Sequence, residues 1–99
     1  MLIRADGPVL TVFGVAGALV DPVLTVYGGT TVVATNTGWT TNANPALLAA
    51  VAVKVGAFAL PKPGNDSALL LTLAPGAYTV EVTSAGGNSG ITLFEAYVD

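Results

Sequence analysis

Neither cysteine nor histidine occurs among the 99 residues. The first absence excludes disulfides, thiolate metal sites and cysteine nucleophiles, and the second removes the commonest general base and metal ligand. Charge is also scarce. Only 9% of the residues are Asp, Glu, Lys or Arg, against roughly 25% in ordinary soluble domains. The three basic residues, Arg4, Lys54 and Lys62, are scattered through a chain of net charge −3. Nucleic acid binding needs a clustered basic footprint to neutralise phosphates, so no nucleic acid partner is expected. A membrane-spanning helix needs roughly 20 consecutive apolar residues. The longest candidate, Pro45 to Leu60, is broken by Lys54 and Gly56, so no membrane span is expected. The opening residues do not pass from a basic segment into an apolar one, and no signal peptide is predicted there.

Apolar residues make up 53% of the chain. A length of 99 residues fits one domain, 1–99, with a single core. So small a domain cannot hide every apolar side chain, and a large exposed apolar patch usually marks a contact with another protein. An alanine-rich surface would raise the apolar fraction without any such patch. Both readings remain open at this point.

Runs rich in Val, Leu, Thr and Tyr alternate with Gly/Pro/Asn/Asp clusters. That punctuation predicts a mainly β fold, an antiparallel β-sandwich (Ig-like or jelly-roll-like) of about seven to eight strands. Strands are expected at Leu2–Ala5, Val9–Phe13, Val23–Tyr27, Thr31–Thr35, Ala68–Leu73, Tyr78–Thr83 and Ile91–Val98. Gly28-Gly29 supplies the positive φ of a tight hairpin between the third and fourth of these. Gly86 to Gly90 reads as a second hairpin loop, and Pro61 to Asp66 as a turn. Asn36 to Asn44 reads as a polar loop around Trp39. One short helix is expected near 45–55: Asn44 can cap it, Pro45 suits its first position, and Gly56 ends it. Leu47, Leu48, Val51 and Val55 would form its apolar stripe. In the last run Ile91, Leu93, Glu95 and Tyr97 share one face and Phe94, Ala96 and Val98 the other. A strand apolar on both faces is either covered twice within its domain or packs against a neighbour.

Several stretches together resemble a module of large secreted and surface proteins of Verrucomicrobia and similar environmental bacteria. They are Leu2-Ile3-Arg4-Ala5 with Gly7-Pro8, Phe13-Gly14-Val15, Asp21-Pro22, Asn36 and Trp39. Gly56-Ala57-Phe58-Ala59-Leu60, Leu73 through Val80, and Gly90 with Leu93-Phe94-Glu95 and Tyr97 complete the set. The sequence departs from that pattern at Asp6, where an aliphatic residue is usual, and conservatively at Ile91-Thr92 and Ala96. The resemblance implies a secreted β-module, extracellular or on the cell surface. It carries over no activity, cofactor or functional residue.

The acidic residues are Asp6, Asp21, Asp66, Glu81, Glu95 and Asp99. Glycoside hydrolysis needs two carboxyl groups at a defined separation. Only Glu81 and Glu95, on strands expected to be adjacent, could supply them, and Glu81 should face solvent. Calcium needs more oxygen ligands than Asn65-Asp66-Ser67 or Asp6-Gly7 provides, so no metal or cofactor is expected. An isopeptide bond would have to use Lys54 with Glu81 or Glu95, but Lys54 better suits the negative end of the helix dipole. The chemistry therefore predicts no enzyme. It predicts a structural module that self-associates, with neighbouring copies as partners in a surface, adhesive or filament assembly. The expected contacts are Leu70, Phe94, Ala96 and Val98. The alternative is a carbohydrate-binding module, with Trp39 as the platform for a polysaccharide.

Overall fold

The computed structural model describes residues 1–62 and 64–98. Its strands are β1 (Leu2–Asp6), β2 (Pro22–Gly28), β3 (Thr31–Thr37), β4 (Ser67–Leu70), β5 (Tyr78–Ser84) and β6 (Leu93–Tyr97). One α-helix, α1 (Pro45–Lys54), lies between β3 and β4. The strands form two three-stranded antiparallel sheets, ordered β4-β1-β6 and β3-β2-β5. The fold is mainly β, and the chain crosses repeatedly from one sheet to the other.

Alternation of side chains along β1 generates three layers. Ile3 and Ala5 face the second sheet and pack with Leu24, Val26 and Leu69. Leu2 faces the other way and packs with Ala68, Trp39 and the Leu48, Val51 and Ala52 side of α1. All five residues of β1 are therefore buried, including Arg4 and Asp6. The helix forms as its sequence predicts. The Asn44 side chain accepts from the Leu47 N–H at 3.1 Å, and Lys54 closes the last turn. Its buried stripe sits differently, however. Leu47 is exposed and Ala52 takes its place in the core.

The two sheets are held together by polar side chains as well as by apolar packing. Asn36 of β3 accepts from the Ala68 N–H of β4 at 3.0 Å and donates to the Gly38 carbonyl at 3.1 Å. Ser67 accepts from the Gly38 N–H at 3.1 Å. These bonds satisfy backbone groups that would otherwise be buried without partners. Close apposition of the sheets is found between β3 and β4 and between β2 and both β1 and β4. The pair β5 and β6, which ends the sheets on the opposite side, is not among them.

The β2–β3 hairpin is as expected, turning through Gly29 at φ +64°. Other expectations are corrected. The segment Pro8–Phe13 is a 3-10 helix, not a strand, because one Asp66 carboxylate oxygen accepts from both Gly7 and Val9 N–H groups (2.7 and 3.0 Å) and curls the chain around itself. The described strands therefore number six rather than seven or eight. Residues 85–92 make no hairpin. Asp21 accepts from Ser84, Gly86 and Asn88 (2.6, 2.7 and 3.2 Å), and the segment crosses between sheets. The strands expected at Ala68–Leu73 and Ile91–Val98 are shorter, Ser67–Leu70 and Leu93–Tyr97, and β3 runs on to Thr37 before a 3-10 turn at Trp39–Thr41. Of the expected 61–66 turn and the acidic set, Pro63 and Asp99 lie outside the described residues. No described helix is long and apolar enough to cross a membrane.

Replacing Asn36 with Ala strips the Ala68 N–H of its acceptor inside the protein. A loss of about 1–3 kcal/mol follows from leaving one buried donor unsatisfied. Urea unfolding should show a lower midpoint with an unchanged m-value, and an unaltered midpoint would mean that Asn36 does not hold the sheets together.

Candidate functional site

Arg4 is the largest fully buried side chain, on the α1 side of β1. Antiparallel register sets it opposite Glu95, and Leu2 opposite Tyr97. The Arg4 Nε lies 3.3 Å from Asp6 Oδ1 and 3.4 Å from Glu95 Oε1. Nη1 donates to the Phe58 carbonyl at 2.8 Å, and the guanidinium carbon sits 4.5 Å from the Phe58 ring centroid. Tyr97 donates its hydroxyl proton to Glu95 Oε2. A buried cation costs several kcal/mol unless it is paired and hydrogen-bonded, and Arg4 is compensated from β1, β6 and the 57–62 segment together.

The two carboxyl groups do not share one charge state. Burial, reinforced by a hydrogen bond with Glu95, pushes Asp6 up to about 8 against the pull of Arg4. Burial also acts to raise Glu95, but bonds from Asp6 and Tyr97 and the charge of Arg4 outweigh it and hold Glu95 below its ordinary value. Asp6 thus carries a proton at neutral pH and Glu95 does not. Asp6 Oδ2 and Glu95 Oε1 have no other hydrogen-bond partner among the described residues, and the hydrogen bond between the two carboxyl groups is made by the proton on Asp6. The cluster then holds one cation, one anion and one neutral acid.

Above this cluster, between α1 and the 57–62 segment, opens a cleft of about 200 Å3. Its walls are apolar, with Trp39, Leu48, Ala52 and Leu60 among them, and among the described residues its only charged lining is Arg4 and Lys62. The Lys62 ammonium lies 5.5 Å from the centroid of the Trp39 ring.

The expected site residues are spread over different parts of the molecule. Trp39 is 2% exposed and donates Nε1 to the Pro61 carbonyl at 2.9 Å, so its ring is a wall of the core and offers no open platform. Leu70 is partly buried against the α1 cluster. Phe94 is 46% and Val98 83% exposed, and Ala96 is exposed beside them. Glu81 lies on the outer face of the second sheet, hydrogen-bonded to the Tyr27 hydroxyl at 3.3 Å, while Glu95 lies under α1 on the first. They form no carboxyl pair. Lys54, at the end of α1, is likewise separated from Glu81 by both sheets. Asp66, weighed for calcium, is instead the acceptor that shapes the 3-10 helix. Arg4 and Asp6 act as a pair that the acidic residues taken alone do not reveal. Their signal is a charged i, i+2 pair in an otherwise apolar five-residue strand.

No family model, curated protein or solved structure matches the chain.

The protonation of Asp6 has a thermodynamic consequence. Its folded pKa lies above the unfolded value of 3.8, so the folded state holds the extra proton and stability falls as pH rises from about 4 towards 8. One proton gives a slope of at most about 1.4 kcal/mol per pH unit. Glu95, depressed on folding, contributes the opposite slope only below its unfolded value of 4.5. Asp6→Asn keeps a neutral donor towards Glu95 and should flatten the decline between pH 5 and 8 in urea titrations. An equal slope in the variant would assign the dependence to other groups.

Proposed function

We propose that the chain is a non-catalytic structural module of an extracellular bacterial assembly, in which neighbouring copies join by adding strands at β6. One observation supports this most directly. The strand is at a sheet edge, and its inward side chains Phe94 and Ala96 remain exposed where their cross-strand partners Ala5 and Ile3 of β1 are covered, as does Val98 just past its end. A strand added beside β6 would gain backbone hydrogen bonds and cover this face. Its inward side chains would also lie over the opening towards Val80 and Val82 of β5, which are only half-buried.

Two further features favour association. Arg4, Asp6 and Asp66 are buried, so a sequence already poor in charge has even less at its surface to oppose close packing. The exposed apolar groups also include large side chains, Phe13, Val20, Ile91 and Leu93 among them, so the excess is not alanine alone. Placement outside the cell rests on the resemblance to secreted Verrucomicrobial modules. The same reading takes the stacked sheets as a reduced six-strand relative of the Ig-like or jelly-roll-like sandwiches. Pairing β6 with β6 of a second copy would close a dimer, whereas pairing β6 with the free β5 edge would propagate a filament.

Light scattering after size-exclusion chromatography should show oligomers that grow with concentration. Phe94→Asp and Val98→Asp should each return the protein to monomer, with stability within about 1 kcal/mol of wild type, as expected of exposed positions. Thr79→Asp, on the outer face of β5, should leave assembly intact. A wild-type monomer at every concentration, or equal loss of assembly in all three variants, would defeat the proposal.

A further inference from the structure

The cleft under α1 has a chemical polarity that assembly through β6 does not use. Short side chains make the space: Ala49, Ala52, Ala57 and Ala59 all line it, on the helix and on the segment facing it. Apolar walls do not hold water well, and an apolar cavity of about 150 Å3 accepts a molecule the size of benzene. At about 200 Å3 the cleft has room for a hydrocarbon body of about six to eight carbons.

Its charge is equally specific. Both charged lining residues, Arg4 and Lys62, are cationic. Arg4 is sealed from bulk solvent, yet its Nη2 has no hydrogen-bond partner among the described residues although Nε and Nη1 do. An unsatisfied buried donor of a charged group is costly, and an anionic acceptor recovers that cost most fully. With Glu95 balancing Arg4 and Asp6 carrying a proton, Lys62 remains along the cleft as a cation with no ion-pair partner among the described residues. One added negative charge would make the region neutral.

We propose that this cleft binds a small aliphatic carboxylate, with its chain between α1 and the 57–62 segment and its carboxylate on the Arg4 guanidinium. Lys62 assists from beside Trp39. The 57–62 segment is held by its Phe58 and Pro61 carbonyls, which accept from Arg4 and Trp39. The apolar body of the cleft is therefore formed before a ligand arrives, and the carboxylate meets the buried Nη2 only as the wall over it gives way.

The test is an NMR titration of the 15N-labelled full chain at pH 6.5 with sodium octanoate below its micellar concentration, and in parallel with 1-octanol. Saturable shifts are expected at Ala49, Ala52, Ala57, Leu60 and the Arg4 Nε–H, with octanoate bound at least tenfold tighter than octanol. Arg4→Met risks unfolding by leaving Glu95 unpaired, so Ala49→Leu, which fills the cleft and leaves the charged cluster in place, is the variant of choice. It should weaken octanoate at least tenfold while retaining the native spectrum. Equal affinity for octanoate and octanol would remove the guanidinium from the site. Undiminished binding to Ala49→Leu, or no saturable shift with octanoate, would remove the site itself.

Discussion

A single charged side chain in the doubly covered central strand constrains much of this molecule. Burying Arg4 between α1 and the sheet is tolerable only if partners converge on it, and they come from three places. Glu95 and Tyr97 bring in β6, Asp6 sits two residues along β1, and Phe58 brings in the segment after α1. The electrostatic requirement thereby helps fix a strand register and the path of an irregular segment. It also leaves one nitrogen of the guanidinium unused beside an apolar cleft.

The covering of the sheets is lopsided. On the β3–β4 side Asn36, Ser67 and Asp66 satisfy backbone groups across the junction, and the inner faces are closed. On the β5–β6 side the inward residues of the last strand remain in solvent. A domain of this length has little spare chain with which to close a second side. The same asymmetry separates two kinds of surface: an apolar cleft with cationic groups under the helix and an open, apolar strand edge away from it.

Much of the local structure was legible from residue chemistry. Gly28-Gly29 between two β-rich runs led to the hairpin, and Asn44-Pro45 with the alanine run after it led to the helix. The segment 9–13 was misread because its valines and threonine favour a strand, whereas its conformation is set by Asp66, more than fifty residues away. The 86–90 loop was misread for a related reason. Glycine-rich loops serve hairpins and sheet crossings alike, and only the pairing of β6 with β1 distinguishes them. Trp39 stands in a polar stretch that suits a sugar platform, but the burial tendency of tryptophan favours the core, and Asn36 and Asn42 turn their amides to backbone groups around it. Those asparagines serve the core.

By itself the sequence determined the class of the fold, the position of its helix and the alternation that gives β6 two apolar faces. These follow from local periodicity, capping and turn chemistry, which act over a few residues. Only the tertiary structure decided which strand is buried twice, which face of β6 is left open, and that Arg4, Asp6 and Glu95 form one cluster. Each of these depends on strands brought together from distant parts of the chain. Burial and hydrogen bonding between such strands set the charge of a carboxyl group, and no short stretch of sequence contains that information.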